Sequence, residues 1–181
     1  MKKLMSALGA TALLSFSVQA DNEAVSVAHG TITKLDQGTK TMVVKTKEGT
    51  EHVVKVVDKT AVQGAEKTAA GAKDAFKGLS EGSEVVVHYT ENGGVKTAKE
   101  VTKVGEGGLK AVDGTVTKIG KDGKTVVFKA ADGTEHTFEA AGHASADAAK
   151  GIAKGTDKAG KTTAYYSEEA GKKVVHFFEK L

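Results

Sequence analysis

Histidine is a common metal ligand and the side chain that titrates nearest neutrality, and this 181-residue chain has six of them. Two occupy matching places. His52 ends the run Glu48-Gly49-Thr50-Glu51-His52, and His136 ends Asp132-Gly133-Thr134-Glu135-His136. If each opens a β-strand, alternation puts it on the side of Val54 or Phe138, the apolar side. A metal reading makes His52 and His136 the ligands, with Glu51 or Asp58 as oxygen partners. A plainer reading makes each a partly buried group that hydrogen-bonds at the rim of a core. No His-x-His or His-x₃-His pair exists to favour metal, and His29, His143 and His176 show no pattern. His88 has the opposite parity to Val87 and Tyr89, so it is expected to point outward.

Other chemistry fails on context. Gly155 to Thr162 spells the phosphate-loop pattern Gly-x₄-Gly-Lys-Thr. That mechanism needs a strand before the glycines and a helix after them. Here a helix is expected before and a strand after, so the run reads as a glycine-rich turn. No nucleophile motif of the Gly-x-Ser-x-Gly kind is present. Glu168 and Glu169 fall at an expected hairpin, where solvent keeps both carboxyls ordinary and gives acid–base work nothing to use. There is no Cys, hence no thiolate ligand or nucleophile, and no Trp. The 26 basic residues are all Lys. No catalytic residue, cofactor motif or nucleic-acid site follows. Single strands need a positive groove with aromatic platforms, and this chain is almost evenly charged and only 5% aromatic.

Export frames the rest. Lys2 and Lys3, the apolar stretch Leu4 to Phe16, and Val18 and Ala20 at the minus-three and minus-one places make residues 1–20 a secretory signal peptide cleaved after Ala20. The stretch is too short to span about 30 Å of hydrocarbon. Without Lys2 and Lys3, 24 Lys face 23 acidic residues, a formal charge of +1. The mature chain is expected in the periplasm or outside the cell, with no membrane span.

Self-comparison shows a duplication. Gly30-Thr31-Ile32-Thr33-Lys34-Leu35 recurs as Gly114-Thr115-Val116-Thr117-Lys118-Ile119, an offset of 84 that also relates His52 to His136. Further on the offset becomes 77, with Tyr89-Thr90-Glu91 matching Tyr166-Ser167-Glu168. The copies are residues 21–104 and 112–181, joined by a glycine-rich linker at 105–111. In the first copy, strands are expected at 25–35, 42–47 and 51–57, then a helix at 65–79 with Ala65, Ala69, Ala72, Phe76 and Leu79 on one face. Strands at 84–90 and 95–101 follow. The second copy repeats the order, with its helix at 144–154.

Three strands, a helix and two strands is the order of the OB-fold. The fold class is therefore mainly β: two tandem small OB-like β-barrels, each of five strands with one helix between strands three and four. An SH3-like barrel and alanine-rich segments without fixed structure are the alternatives. Barrels of this size are close to the lower limit for independent cores, so the pair is expected to pack together or form a homodimer.

The run Gly30–Leu35, the valine-rich strand after it, the Gly49-Thr50 turn and the stretch Lys77–Val87 resemble exported bacterial small-barrel tandem-repeat families of unknown function. The resemblance implies OB-like barrels in the periplasm and carries over no catalytic residue. Periplasmic copper-chaperone barrels of similar shape use His, Met and Trp. Here Met42 is the lone Met after the signal and Trp is absent, which argues against copper. The function expected is a non-enzymatic binding or structural module for an envelope protein or glycan. Its contact face would be His88, Tyr89, Tyr165 and Phe177. A low-affinity metal carrier using His52 and His136, or a stress-related structural protein, is the alternative.

Overall fold

The computed structural model describes residues 25–64, 76–121, 123–140 and 160–181. The signal-peptide region, the proposed cleavage point, His143 and the whole of the second expected helix lie outside them.

The described residues are mainly β, in two sheets. The first holds β1 (Val25–Asp36), β2 (Thr41–Lys45), β3 (Glu51–Lys55), β4 (Ala61–Gln63), β5 (Glu84–Asn92) and β6 (Val95–Lys103). The second holds β7 (Lys110–Ile119), β8 (Thr125–Ala130), β9 (Glu135–Ala140), β10 (Thr162–Glu169) and β11 (Lys172–Lys180). Neighbours in the first run β3-β2-β1-β5-β6-β4, and a further β3–β6 pairing joins its flanks. The second closes on itself through β7-β8-β9-β11-β10. In each, the closing joint is a short parallel pairing. Val54 and Lys55 meet Lys96 and Thr97 in the first unit. In the second, Glu139 and Ala140 meet Val174 and Val175.

Alternation and turn chemistry account for these strands. Along β2 and β3, Met42, Val44 and Val54 point into the first core, while Lys45, Glu51 and Lys55 are exposed. Gly49 and Gly133, with φ of 86° and 89°, supply the left-handed residue that a tight hairpin demands. The Gly-Thr-x-Thr motif has its own cause. A Cβ on Gly30 would lie 2.2 Å from the Lys45 carbonyl oxygen, and one on Gly114 would lie 2.2 Å from that of Lys129. Only glycine lets the two crossing strands approach so closely. Three residues on, the register slips by one between Ile32 and Lys34, and identically between Val116 and Lys118. Such a bulge sharpens the bend a small closed sheet requires.

Two apolar clusters fill the units. Ile32, Met42, Val44, Val54, Val85 and Val87 lead the first. Phe128, Phe138, Tyr166 and Val175 lead the second. The helix expected at 65–79 is not found where it can be seen. Phe76 to Leu79 form a turn, and Lys77 and Gly78 have φ of 51° and 90°, which no α-helix accommodates. Phe76 and Leu79 still reach the core, while Ala65, Ala69 and Ala72 lie outside the described residues. Residues 65–75 and 144–154, the rest of the two helices, lie outside the described residues. Strand β4, beside the second half of β6, was not anticipated.

Filling the space at Gly30 or Gly114 should act as overpacking. Gly30→Ala and Gly114→Ala are each expected to cost about 1–3 kcal/mol. Gly38→Ala, where the nearest atom to a Cβ is 3.4 Å away, should change stability by less than about 0.5 kcal/mol. Urea unfolding of the three variants checks this.

Candidate functional site

The two histidines singled out by the repeat stand at the two closing joints, and each has acquired a lysine. In the first unit Lys96 Nζ donates to His52 Nδ1 at 3.1 Å. The same ammonium lies 5.5 Å from the centre of the Tyr89 ring, and the His52 and Tyr89 rings are 5.9 Å apart. In the second, Lys173 Nζ donates to His136 Nδ1 at 2.6 Å and lies 5.6 Å from the Tyr166 ring. His136 and Tyr166 are 6.4 Å apart, and Phe138 stacks on the imidazole at 5.8 Å. The strands dictate the grouping. His52 shares a face with Val54 but sits nearer the strand end, so it is only part buried. Lys96 is brought to it by the parallel joint at Val54.

Protons in the cluster follow from its donors. An ammonium can only donate, so Nδ1 of each histidine is the accepting nitrogen and Nε2 carries the ring hydrogen. Burial, and then the Lys96 charge, lower the His52 pKa, which keeps that ring neutral. Burial raises the Tyr89 pKa, with the Glu91 charge adding to it. A cation offered to Nδ1 would have to displace a lysine that already carries the same sign of charge. His52 and His136 also belong to different units. Among the described residues no group of three or more His, Asp or Glu is placed to hold a metal ion.

The residues expected on an outward contact face are elsewhere. His88 and Tyr165 are 3% and 5% exposed, and Tyr89 is buried in the first core. The outward parity of His88 is correct, but the other unit covers that face. Val86, Leu109 and Tyr165 form a third buried cluster, with Val27, Val104 and Phe177 against it. Tyr165 stacks on Phe177 at 6.0 Å and meets the His29 ring at a tilt, 4.4 Å away, so neither aromatic is open as a platform for a base. Polar groups stitch the junction. His29 Nε2 lies 2.8 Å from Glu84, and its Nδ1 lies 3.1 Å from Glu179. Two ionised carboxylates can only accept, so both bonds form when the ring carries both protons. Tyr165 donates to Glu179 at 3.0 Å, and His88 Nε2 to the His176 carbonyl at 3.3 Å. His176 Nδ1 faces Glu100 at 3.5 Å. That contact, with a bond from Thr102, holds the Glu100 carboxyl down at about 2.

Sequence reasoning missed Lys96, Lys173, Tyr166, His29, His176 and the three junction carboxylates. A signal for the first three existed. The offset of 77 that pairs Tyr89 with Tyr166 also pairs Lys96 with Lys173. Of the phosphate-loop run, only Gly160 to Thr162 is described, and Thr162 begins β10. Glu168 is exposed and engaged by Lys110 at 2.6 Å, which lowers its pKa.

No protein-family model matches the chain, and no curated protein matches it. Among solved structures the chain is similar to one titled "Crystal structure of Ag(I)CusF", with 12% identity and a TM-score of 0.33. The match covers 44% of this chain and 96% of that one. Among the described residues no helix is long and apolar enough to cross a membrane.

Two pH dependences follow. His52 is a base with a lowered folded pKa, so the unfolded chain takes up its proton first. Its contribution is complete above the unfolded value of about 6.5 and falls as the solution is acidified below it. His52→Gln should flatten unfolding free energy between pH 7 and 5. Glu100 is an acid held down in the folded state, so its contribution is present above the unfolded value of about 4.5 and is lost as pH falls towards about 2. Glu100→Gln should cost about 1.5–3 kcal/mol at pH 7 and little at pH 2. Urea titrations across that range read both.

Proposed function

We infer that the mature chain is an exported, non-enzymatic binding module built from two OB-like barrels, and that it holds an envelope component at the barrel rims. The observation that carries this reading is the recurrence of one side-chain trio, histidine, lysine and tyrosine, at the closing joint of both units. The junction contacts differ between the copies, whereas the lysine–histidine contact over a tyrosine ring occurs in both. The histidine and lysine of each trio are part buried and the tyrosine beneath them is buried. Each copy leaves a part-buried lysine with two further donor hydrogens beside a part-buried imidazole, with an aromatic ring beneath. Such a set binds a ligand through hydrogen bonds and charge. It lacks the nucleophile, the paired acid and base and the oxyanion donors that catalysis requires.

The apolar and polar contacts of the junction support a fixed spacing between the two rims. A component offering several copies of the same group would then gain from simultaneous engagement. The N-terminal tripartite pattern supports export, with a glycan or protein of the envelope as partner.

The test is retention of the purified mature chain on isolated cell-envelope material and on its peptidoglycan fraction. Wild type is expected to be retained, and the Lys96→Met/Lys173→Met double variant to lose at least about tenfold in affinity, a loss equivalent to about 1.4 kcal/mol. Equal retention of both proteins, with unchanged circular dichroism, would remove the rims from the account.

A further inference from the structure

Three side chains drawn from both units stand in line at the junction. Ser167 Oγ lies 2.9 Å from His176 Nε2. The other ring nitrogen, His176 Nδ1, lies 3.5 Å from Glu100 Oε1. A hydroxyl and a carboxylate thus meet opposite nitrogens of one imidazole. The strands set this order. Ser167 is on β10, where it pairs with Val174. The register of β10 and β11 slips between Tyr165 and Tyr166, which pair with Phe177 and Val175 and leave His176 without an opposite residue. A bulge re-aims the side chain it frees. Here Val175 fills the second core, while His176 is buried in the junction, between Ser167 of its own sheet and Glu100 on β6 of the first unit.

The protons follow from the partners. The Glu100 carboxyl is held down at about 2, chiefly by the His176 contact, so it is ionised near neutrality. A carboxylate only accepts, which places the ring hydrogen on Nδ1. Nε2 then offers its lone pair to the Ser167 hydroxyl, the tautomer a nucleophile needs from its base. Ser167 also reaches Glu169 Oε1 at 3.2 Å, a longer bond to an exposed group. The carboxylates of Glu168 and Glu169, next along the chain, repel an anionic reactant and favour a neutral one. The first unit has no such set, because the offset of 77 puts Thr90 at the place of Ser167 and Lys99 at that of His176.

We propose that Ser167 is a nucleophile that accepts an acyl group from a neutral carboxylic ester. Its oxygen attacks the ester carbonyl carbon as His176 Nε2 takes the hydroxyl proton. The C–O bond to the leaving alcohol breaks, and the proton passes from Nε2 to the departing oxygen. The acyl group stays on Ser167 as a new ester, and nothing is oxidised or reduced. His176 is the base, and Glu100 is a positioning residue that fixes its tautomer. The set is complete only while the units are docked. One transfer per chain goes beyond the rim-binding reading and does not depend on it.

The experiment treats the full mature chain with p-nitrophenyl butyrate near neutral pH, follows p-nitrophenolate release, and locates butyryl groups by peptide mass spectrometry. Acylation of Ser167 should be at least about 100-fold faster than in the urea-unfolded chain. Ser167→Ala should abolish it, and His176→Gln should slow it about 100-fold. Glu100→Gln should slow it about tenfold or more, and Glu100→Asp should restore most of the rate. Glu169→Gln should leave the rate unchanged or raise it. Should His176→Gln fail to fold, heavy water decides, since a base that takes the proton in the transition state makes the wild-type rate fall there. The proposal is overturned by butyryl groups on lysines alone, by equal rates in the folded and unfolded chain, or by an unchanged rate in a folded His176→Gln. It is equally overturned by no heavy-water effect, or by slowing in Glu169→Gln, which would make Glu169 the base.

Discussion

A small sheet that curls round to meet itself must join its two flanks. Here the joint rests on only two residue pairs in each unit. Parallel pairing over so short a length is weak, and it needs help from side chains. The lysine–histidine bond supplies some of that help, since Lys96 reaches back to β3 and Lys173 to β9. The part-buried lysine and histidine of each joint are therefore held in place by the same contact that closes the sheet. One hydrogen bond thus both closes each sheet and fixes where its lysine sits.

The junction between units solves a different problem. Each small core is near the size at which a domain stops being stable alone. Strands β5 and β10 are buried along both faces, so each serves its own core and the junction together. Ionisable groups make up much of the contact. Imidazoles and carboxylates removed from water are tolerated where each finds a partner, and His29, His176, Glu100 and Glu179 all do. Misaligned docking would strand these groups, which favours one arrangement of the units over others.

Much of the strand pattern was legible, and the reasons are local. Alternation marked β1, β2, β3, β8 and β9, and Asp or Glu followed by Gly marked their turns. Internal likeness located His52 and His136. Their lysines lie 44 and 37 residues away on another strand, and parity tells which side a residue faces without telling what it meets. The contact-face expectation failed for the same reason. Val85-Val86-Val87 and the run from Thr162 to Tyr166 have no polar alternation, the mark of a strand covered on both sides. Reading only one face of them put His88 and Tyr165 in solvent. The alanine spacing at 65–79 suggested a helix, but Lys77 and Gly78 adopt left-handed backbone, a choice set by how Phe76 and Leu79 enter the core.

The junction also bears on how far such a chain can grow. Tyr165 stands where the first copy has His88, and Phe177 where it has Glu100, so the two halves meet as plug and socket. Neither could substitute for the other, and a third copy appended to the end would find the socket already filled. Its own matching face would lie bare.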